Sequence, residues 1–220
     1  MRVLLPIALT LASGICSGVD LDSACGSLAP SAEVRVSFLP AAAQIDDSKR
    51  ARDIKFDGDK AGAFRQLGVT RATLVRDVDV RLEGFADDRH ACAWPKVTLK
   101  LSVRPLLVEL ARELEANECM RVHVLEHEMQ HVAIYNASAL RAALQLEQEM
   151  RAHFSARQLD GAADTLLETV QAQIRERWLS RLDALLAEAD REHDALDAAE
   201  ERQAYKVCDG ALSRMLKGLE

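Results

Sequence analysis

The stretch Val124-Leu125-Glu126-His127-Glu128-Met129-Gln130-His131-Val132 is where residue type and spacing together specify a chemistry. On a helix, residues four apart share a face, so His127 and His131 can offer two imidazole nitrogens to one metal ion. Glu128, beside the first histidine, supplies the carboxylate that takes a proton from a metal-activated water and later gives it to a leaving group. That is the division of labour in H-E-x-x-H zinc peptidases. The neighbours Val124, Leu125, Met129, Val132, Ala133 and Ile134 are uncharged, which predicts a helix set in a core with its metal face open.

Such a zinc site needs a third protein ligand, and several residues compete for the role. The extension His-x-x-Gly-x-x-His is absent: Ile134 stands at the Gly position and Ala137 at the last His, which excludes the metzincin arrangement. Further on, the apolar stripe Ile174, Trp178, Leu182, Leu185, Ala189, Leu196 passes through His193, and a histidine facing a core demands an explanation. His193 is the first choice as third ligand. Asp197 and Asp190, one turn to either side, are alternative ligands or acceptors that orient the ring. Glu147 and Glu149 stand where other zinc enzymes keep a glutamate. A continuous helix would carry them over about 20 Å away at its rise of about 1.5 Å per residue, so they serve only if it breaks near Tyr135 to Ser138. His90, His123 and His153 read as surface or loop residues. Tyr135 and Tyr205 read as packing residues, with donation to an oxyanion as the functional alternative.

Strands are expected to position the metal helix from one side. Residues 31–114 read as mainly β. Glu33 to Phe38 alternates polar and apolar and is ended by Pro40, Leu74 to Leu82 gives a long strand with one wet face, and Lys96 to Val103 gives another. Asp46 to Gly68 reads as loop or short helix. Leu106 to Leu114, after Pro105, is expected as a further strand, one that could border a peptide cleft.

Residues 118–220 read as mainly α. Asn117 caps a helix expected to run from Cys119 to about Arg157, Asp160-Gly161 breaks it, a second long helix spans about Ala163 to Asp197, and a short one spans about Glu200 to Lys217. The expected class is α+β: a small, mainly antiparallel sheet packed on a zincin-like helix, followed by a long helical hairpin, all in one domain over 19–220.

A formal net charge of −7 argues against nucleic acid as a partner, and an aromatic content of 4% argues against base-stacking platforms. Met1-Arg2 and the apolar run Val3 to Ala12, followed by small residues, read as a signal peptide over 1–18 and too short to span a bilayer. The protein is therefore expected to be secreted or periplasmic. Lipidation at Cys16 is disfavoured because Ile15 precedes it. Without Cys16 an even set remains: Cys25, Cys92, Cys119 and Cys208, two disulfides' worth in an oxidising compartment. Three pairings are open. Cys92–Cys119, flanking the segment between sheet and metal helix, with Cys25–Cys208 tying the ends, is the preferred one.

Cys92-Ala93-Trp94-Pro95, Ala111-Arg112-Glu113-Leu114, Cys119 and Val124 to Ala133 resemble a family of little-characterised secreted bacterial proteins described as zinc-dependent proteases. The similarity extends weakly to His193-Asp194-Ala195-Leu196-Asp197 and Cys208, and covers roughly Thr70 to Cys208. It implies a zincin-like core and an envelope or secreted location, and names no substrate. The expected function is a secreted or periplasmic Zn2+ metallopeptidase, with His127 and His131 as ligands and Glu128 as catalytic base, acting on a peptide or protein. The alternative is a non-catalytic envelope protein with a structural metal and a helical hairpin used for binding.

Overall fold

Alternating side chains build the sheet, and the breaker-free run after Asn117 builds the helices. The computed structural model describes residues 20–55, 67–156 and 158–217; the expected signal peptide over 1–18 and Cys16 lie outside them. The class is α+β. Strand β4 (His90–Leu110) pairs with each of the others: β1 (Glu33–Leu39), β2 (Gln44–Asp46), β3 (Gly68–Ala86) and β5 (Leu159–Ala162). The helices are α1 (Leu21–Ser27), α2 (Glu118–Phe154), α3 (Leu166–Gln173), α4 (Leu179–Gln203) and α5 (Ala211–Lys217), with a π-helical turn at Ile174–Trp178 joining α3 to α4. Among the described residues no helix is long and apolar enough to cross a membrane.

The sheet is mixed, where a mainly antiparallel one was expected. β5 pairs antiparallel with β4, but β2 runs parallel to it in the register Gln44↔Leu107, Ile45↔Val108, Asp46↔Glu109. The chain between β2 and β4 contains all of β3, which is ample length for the crossover that a parallel pair needs. β3 and β4 are also longer than expected, at 19 and 21 residues. Pro105 does not end β4; it stands exposed inside the strand, which then stops at Leu110. A 3-10 helix at Arg112–Ala116 takes the rest of the segment expected as strand to Leu114.

The described chain divides into two compact units. The first takes the described residues up to Phe38, Arg76–Leu101 and Leu140–Leu185. In it the second half of α2 buries Leu146, Met150 and Phe154. Its polar edge is tied down as well: Glu147 Oε2 accepts the Val36 N–H at 2.9 Å, and Arg151 donates to the Val34 carbonyl at 3.0 Å. β3 and β4 meet at a tight turn in which the Asp87 carboxylate accepts the N–H groups of Arg89 and His90, each at 2.7 Å. A Cβ at Gly84 would lie 1.9 Å from the Cys92 carbonyl oxygen, so only glycine permits this approach.

The second unit takes Leu39–Val75, Ser102–Ala139 and the described residues from Leu186 on. Here Glu109, 1% exposed, is held by Lys49 and by Arg71, whose Nε donates at 2.7 Å. Burial alone would push its carboxyl up, but the two cations win and hold it below the usual carboxylate range.

The disulfides correct the preferred pairing. Cys25 bonds to Cys92 in the first unit and Cys119 to Cys208 in the second. Cys92 and Cys119 flank a segment in sequence, but they fall in different units, and each pairs with a cysteine of its own unit. Two disulfides suit an oxidising, extracytoplasmic environment.

Candidate metal centre

α2 begins where Asn117 caps it, its Oδ1 accepting the Met120 N–H at 3.1 Å. From there His123, His127, His131 and Tyr135 follow at intervals of four and line one side of the helix. The opposite side is wetter than the uncharged flanks imply: Met129 and Val122 are each 41% exposed, while Val124 and Val132 are buried. In the same unit α4 presents His193, Asp197 and Glu200 to that line. His123 Nε2 meets Glu200 Oε1 at 2.7 Å, His127 and His131 both meet Asp197, and His131 Nδ1 meets His193 Nδ1 at 2.7 Å. Sequence numbers rise along one helix as they fall along the other, so the two segments run antiparallel.

Three donor atoms converge at the centre of this ladder. His131 Nε2 lies 3.1 Å from His127 Nε2 and 2.9 Å from Asp197 Oδ1, and the third edge, His127 Nε2 to Asp197 Oδ1, is 3.3 Å. Tetrahedral bonds of about 2.0–2.1 Å would hold their donor atoms about 3.3 Å apart, so one edge matches and the other two would open by a few tenths of an ångström around an ion. Both histidines are buried and Asp197 is partly exposed. The donor set, two neutral imidazole nitrogens and a carboxylate oxygen, could hold a metal ion.

The third corner is Asp197 and not His193, the first choice from sequence. The two residues share a face one turn apart, and only the register between α2 and α4 decides which reaches the triangle. His193 instead packs its ring on Tyr135, centroids 4.2 Å apart, and on His131 at 4.9 Å. Burial pushes the His193 imidazole below its usual value, outweighing the acids Asp190, Glu192 and Asp194. Asp190 is exposed; its charge is felt at Tyr135. Glu147 and Glu149 are engaged elsewhere: Glu147 with Val36 and Arg151, Glu149 with Arg181 through two bonds of 2.9 and 2.8 Å. α2 does not break between Tyr135 and Ser138, so neither glutamate returns to the site.

Glu128 is 4% exposed, and its Oε2 accepts a 2.7 Å hydrogen bond from Thr70 Oγ1 on β3. Gly68, two residues earlier, makes room for it: a Cβ there would lie 2.6 Å from Val124 Cγ1 and 2.9 Å from Glu128 Oε1. The strand against the catalytic candidate is thus β3, whereas the segment from Leu106 was expected to border the cleft. Burial first, then the charges of Asp190 and Glu128, pushes the Tyr135 phenol up, so it stays protonated at neutral pH.

His123, expected on the surface, is half-buried against Glu200. Its position four residues before His127 and that of Glu200 three after Asp197 were the available signals. Thr70 and Gly68 carried none. His90 pairs with Asp160 at 2.8 Å, His153 packs on Trp178, and Tyr205 is 47% exposed. No family model, curated protein or solved structure matches the chain.

Proposed function

We propose that this protein is a zinc-dependent metallopeptidase that works outside the cytoplasm, exported by the leader at 1–18. The observation that carries the reading is the His127–His131–Asp197 triangle: three protein donors at metal-binding spacing, with a buried carboxylate on the residue after the first histidine. Three protein ligands leave a fourth position for substrate or water, as catalytic zinc sites do and four-ligand structural sites do not. When bound, zinc supplies Lewis acidity and a water that ionises near neutral pH. Glu128 takes the proton of the attacking water and delivers it to the departing amine. Thr70 fixes one oxygen of that carboxylate, so its rotamer is set before substrate arrives. Asp197 balances one of the two positive charges of the ion, and Tyr135, kept protonated, retains an O–H that can donate. The two disulfides support the extracytoplasmic location.

The test pairs metal content with hydrolysis of fluorescence-quenched casein. Glu128→Gln should keep about one zinc per chain by elemental mass spectrometry and lose at least about a hundredfold in rate, the low end for a general base. Unchanged hydrolysis would remove Glu128 from the mechanism. A second reading rests on the burial of Glu128 and its bond to Thr70: a structural metal that pins α2 to α4, with no hydrolysis in wild type or variant.

A further inference from the structure

We infer that His193 is a positioning residue for the metal centre: it accepts a hydrogen bond from His131 Nδ1–H and so holds His131 in the tautomer that presents Nε2 to the ion. The inference rests on the metal reading above and goes beyond it by giving a role to the histidine that the triangle leaves out. His131 uses both of its nitrogens. Nε2 faces His127 and Asp197, at 3.1 and 2.9 Å, while Nδ1 lies 2.7 Å from His193 Nδ1. A neutral imidazole has one proton, and a nitrogen that binds metal cannot carry it. With Nε2 on the ion, the proton of His131 sits on Nδ1, and His193 Nδ1, 2.7 Å away, is placed to accept it.

The environment suits His193 to that task. A ring that accepts through Nδ1 must leave that nitrogen unprotonated, and the 2.7 Å spacing places it against His131 Nδ1. Tyr135 covers it, with ring centroids 4.2 Å apart, which limits rotation about its terminal bond. With Nδ1 accepting, the ring's own proton sits on the buried Nε2, so Nδ1 is the nitrogen left to meet His131. The usual partner of a ligating histidine is a carboxylate or a backbone carbonyl; a neutral histidine removes the extra negative charge that a second carboxylate would add beside Asp197.

The test is zinc affinity, measured by competition with a chromophoric chelator, in wild type, His193→Phe and His193→Asn, with the thermal midpoint of each metal-free protein. His193→Phe keeps a ring but has no acceptor, and should bind zinc about tenfold to a hundredfold more weakly. His193→Asn restores an acceptor oxygen at the δ position and should recover most of that loss, whatever the two midpoints do. In the zinc-loaded wild-type protein, long-range proton–nitrogen NMR should place the His131 ring proton on Nδ1, a readout that needs no variant. Equal affinity in wild type and His193→Phe, or a ring proton on Nε2, overturns the inference while leaving the metal site standing. Zinc retained by Asp197→Ala but lost from both His193 variants overturns it too, by making His193 the ligand. A wild-type protein that takes no zinc removes the metal reading and this inference together.

Discussion

At the scale of single residues, the site is decided by atoms a few ångströms from one another and far apart in sequence. Asp197 reaches His131 across 66 positions, and Thr70 reaches Glu128 across 58. Asp197→Ala should therefore abolish stoichiometric zinc, and Glu147→Ala should leave it intact, as read by elemental mass spectrometry after dialysis. Zinc kept by the first variant and lost from the second would return the third ligand to the far end of α2. Gly68→Ala places a methyl against Val124 and the Glu128 carboxylate, and should cost about 1–3 kcal/mol in urea unfolding, since the crowded atom on one side is a packed core side chain. A neutral substitution would mean that β3 can move away from α2. The convergence of His127 and His131 was legible because their spacing of four puts both on one face of a helix. Thr70 and Gly68 were not, because an isolated threonine or glycine has no period or motif to mark it, and its role exists only through a partner elsewhere in the chain.

At the scale of elements, α2 and α4 form a ladder whose rungs are polar where most helix pairs use apolar side chains. The Cys119–Cys208 bond joins the start of α2 to the segment just after α4, beyond the His123–Glu200 pair. A slip of one helical turn between the helices, about 5.4 Å, would take Asp197 out of reach of both histidines. The disulfide thus helps to set the register that makes the triangle. Closing a loop of this length removes about 4.6 kcal/mol of chain entropy from the unfolded state in the simplest account. The double variant Cys119→Ser, Cys208→Ser should unfold at lower urea and bind zinc more weakly by at least about tenfold, measured by chelator competition. An affinity equal to wild type would show that side-chain packing alone holds the register. The bounds of α2 followed closely from local signals: Asn117 before the run and the Asp160-Gly161 break after it bracket a helix that ends at Phe154. Those after it did not: α4 runs past the expected end at Asp197 to Gln203, because no breaker stands there, and the short helix expected from Glu200 starts at Ala211. Strand partners did not. The alternation in residues 33–38 and 96–103 predicts strands, yet nothing in it says that β2 will lie parallel to β4, because pairing is a choice among distant edges. The disulfide pairing failed for the same reason.

At the scale of the whole molecule, titration should weaken the fold in two stages as pH falls. His193, whose folded value lies below the usual 6.5, is protonated more readily in the unfolded chain, so stability begins to drop below about pH 6.5. The carboxylates follow. Glu109 is held down by Lys49 and Arg71 against the effect of burial, Glu149 by Arg181, and Asp87 by the backbone of Arg89 and His90. Their folded values are depressed, so the stability they contribute is complete above the ordinary carboxylate range, about 4–4.5, and is lost as pH falls through the lower folded values. The urea midpoint of the metal-free protein should decline gently from pH 7 to 5 and steeply below 4.5, with Glu109→Gln lowering it at pH 7 and blunting the acid drop. A midpoint that rises on acidification would contradict these assignments.

The wide separation of the donors has a consequence for the life of the chain. His127 and His131 alone offer an ion only two imidazole nitrogens, and the carboxylate that completes the triangle comes from α4, 66 positions further along the chain. A polypeptide still threading through an export channel unfolded would hold no such site. If the chain is exported unfolded, as the proposed function has it, it would leave the cell's own metal pool behind and could take up an ion only where α2 and α4 come together.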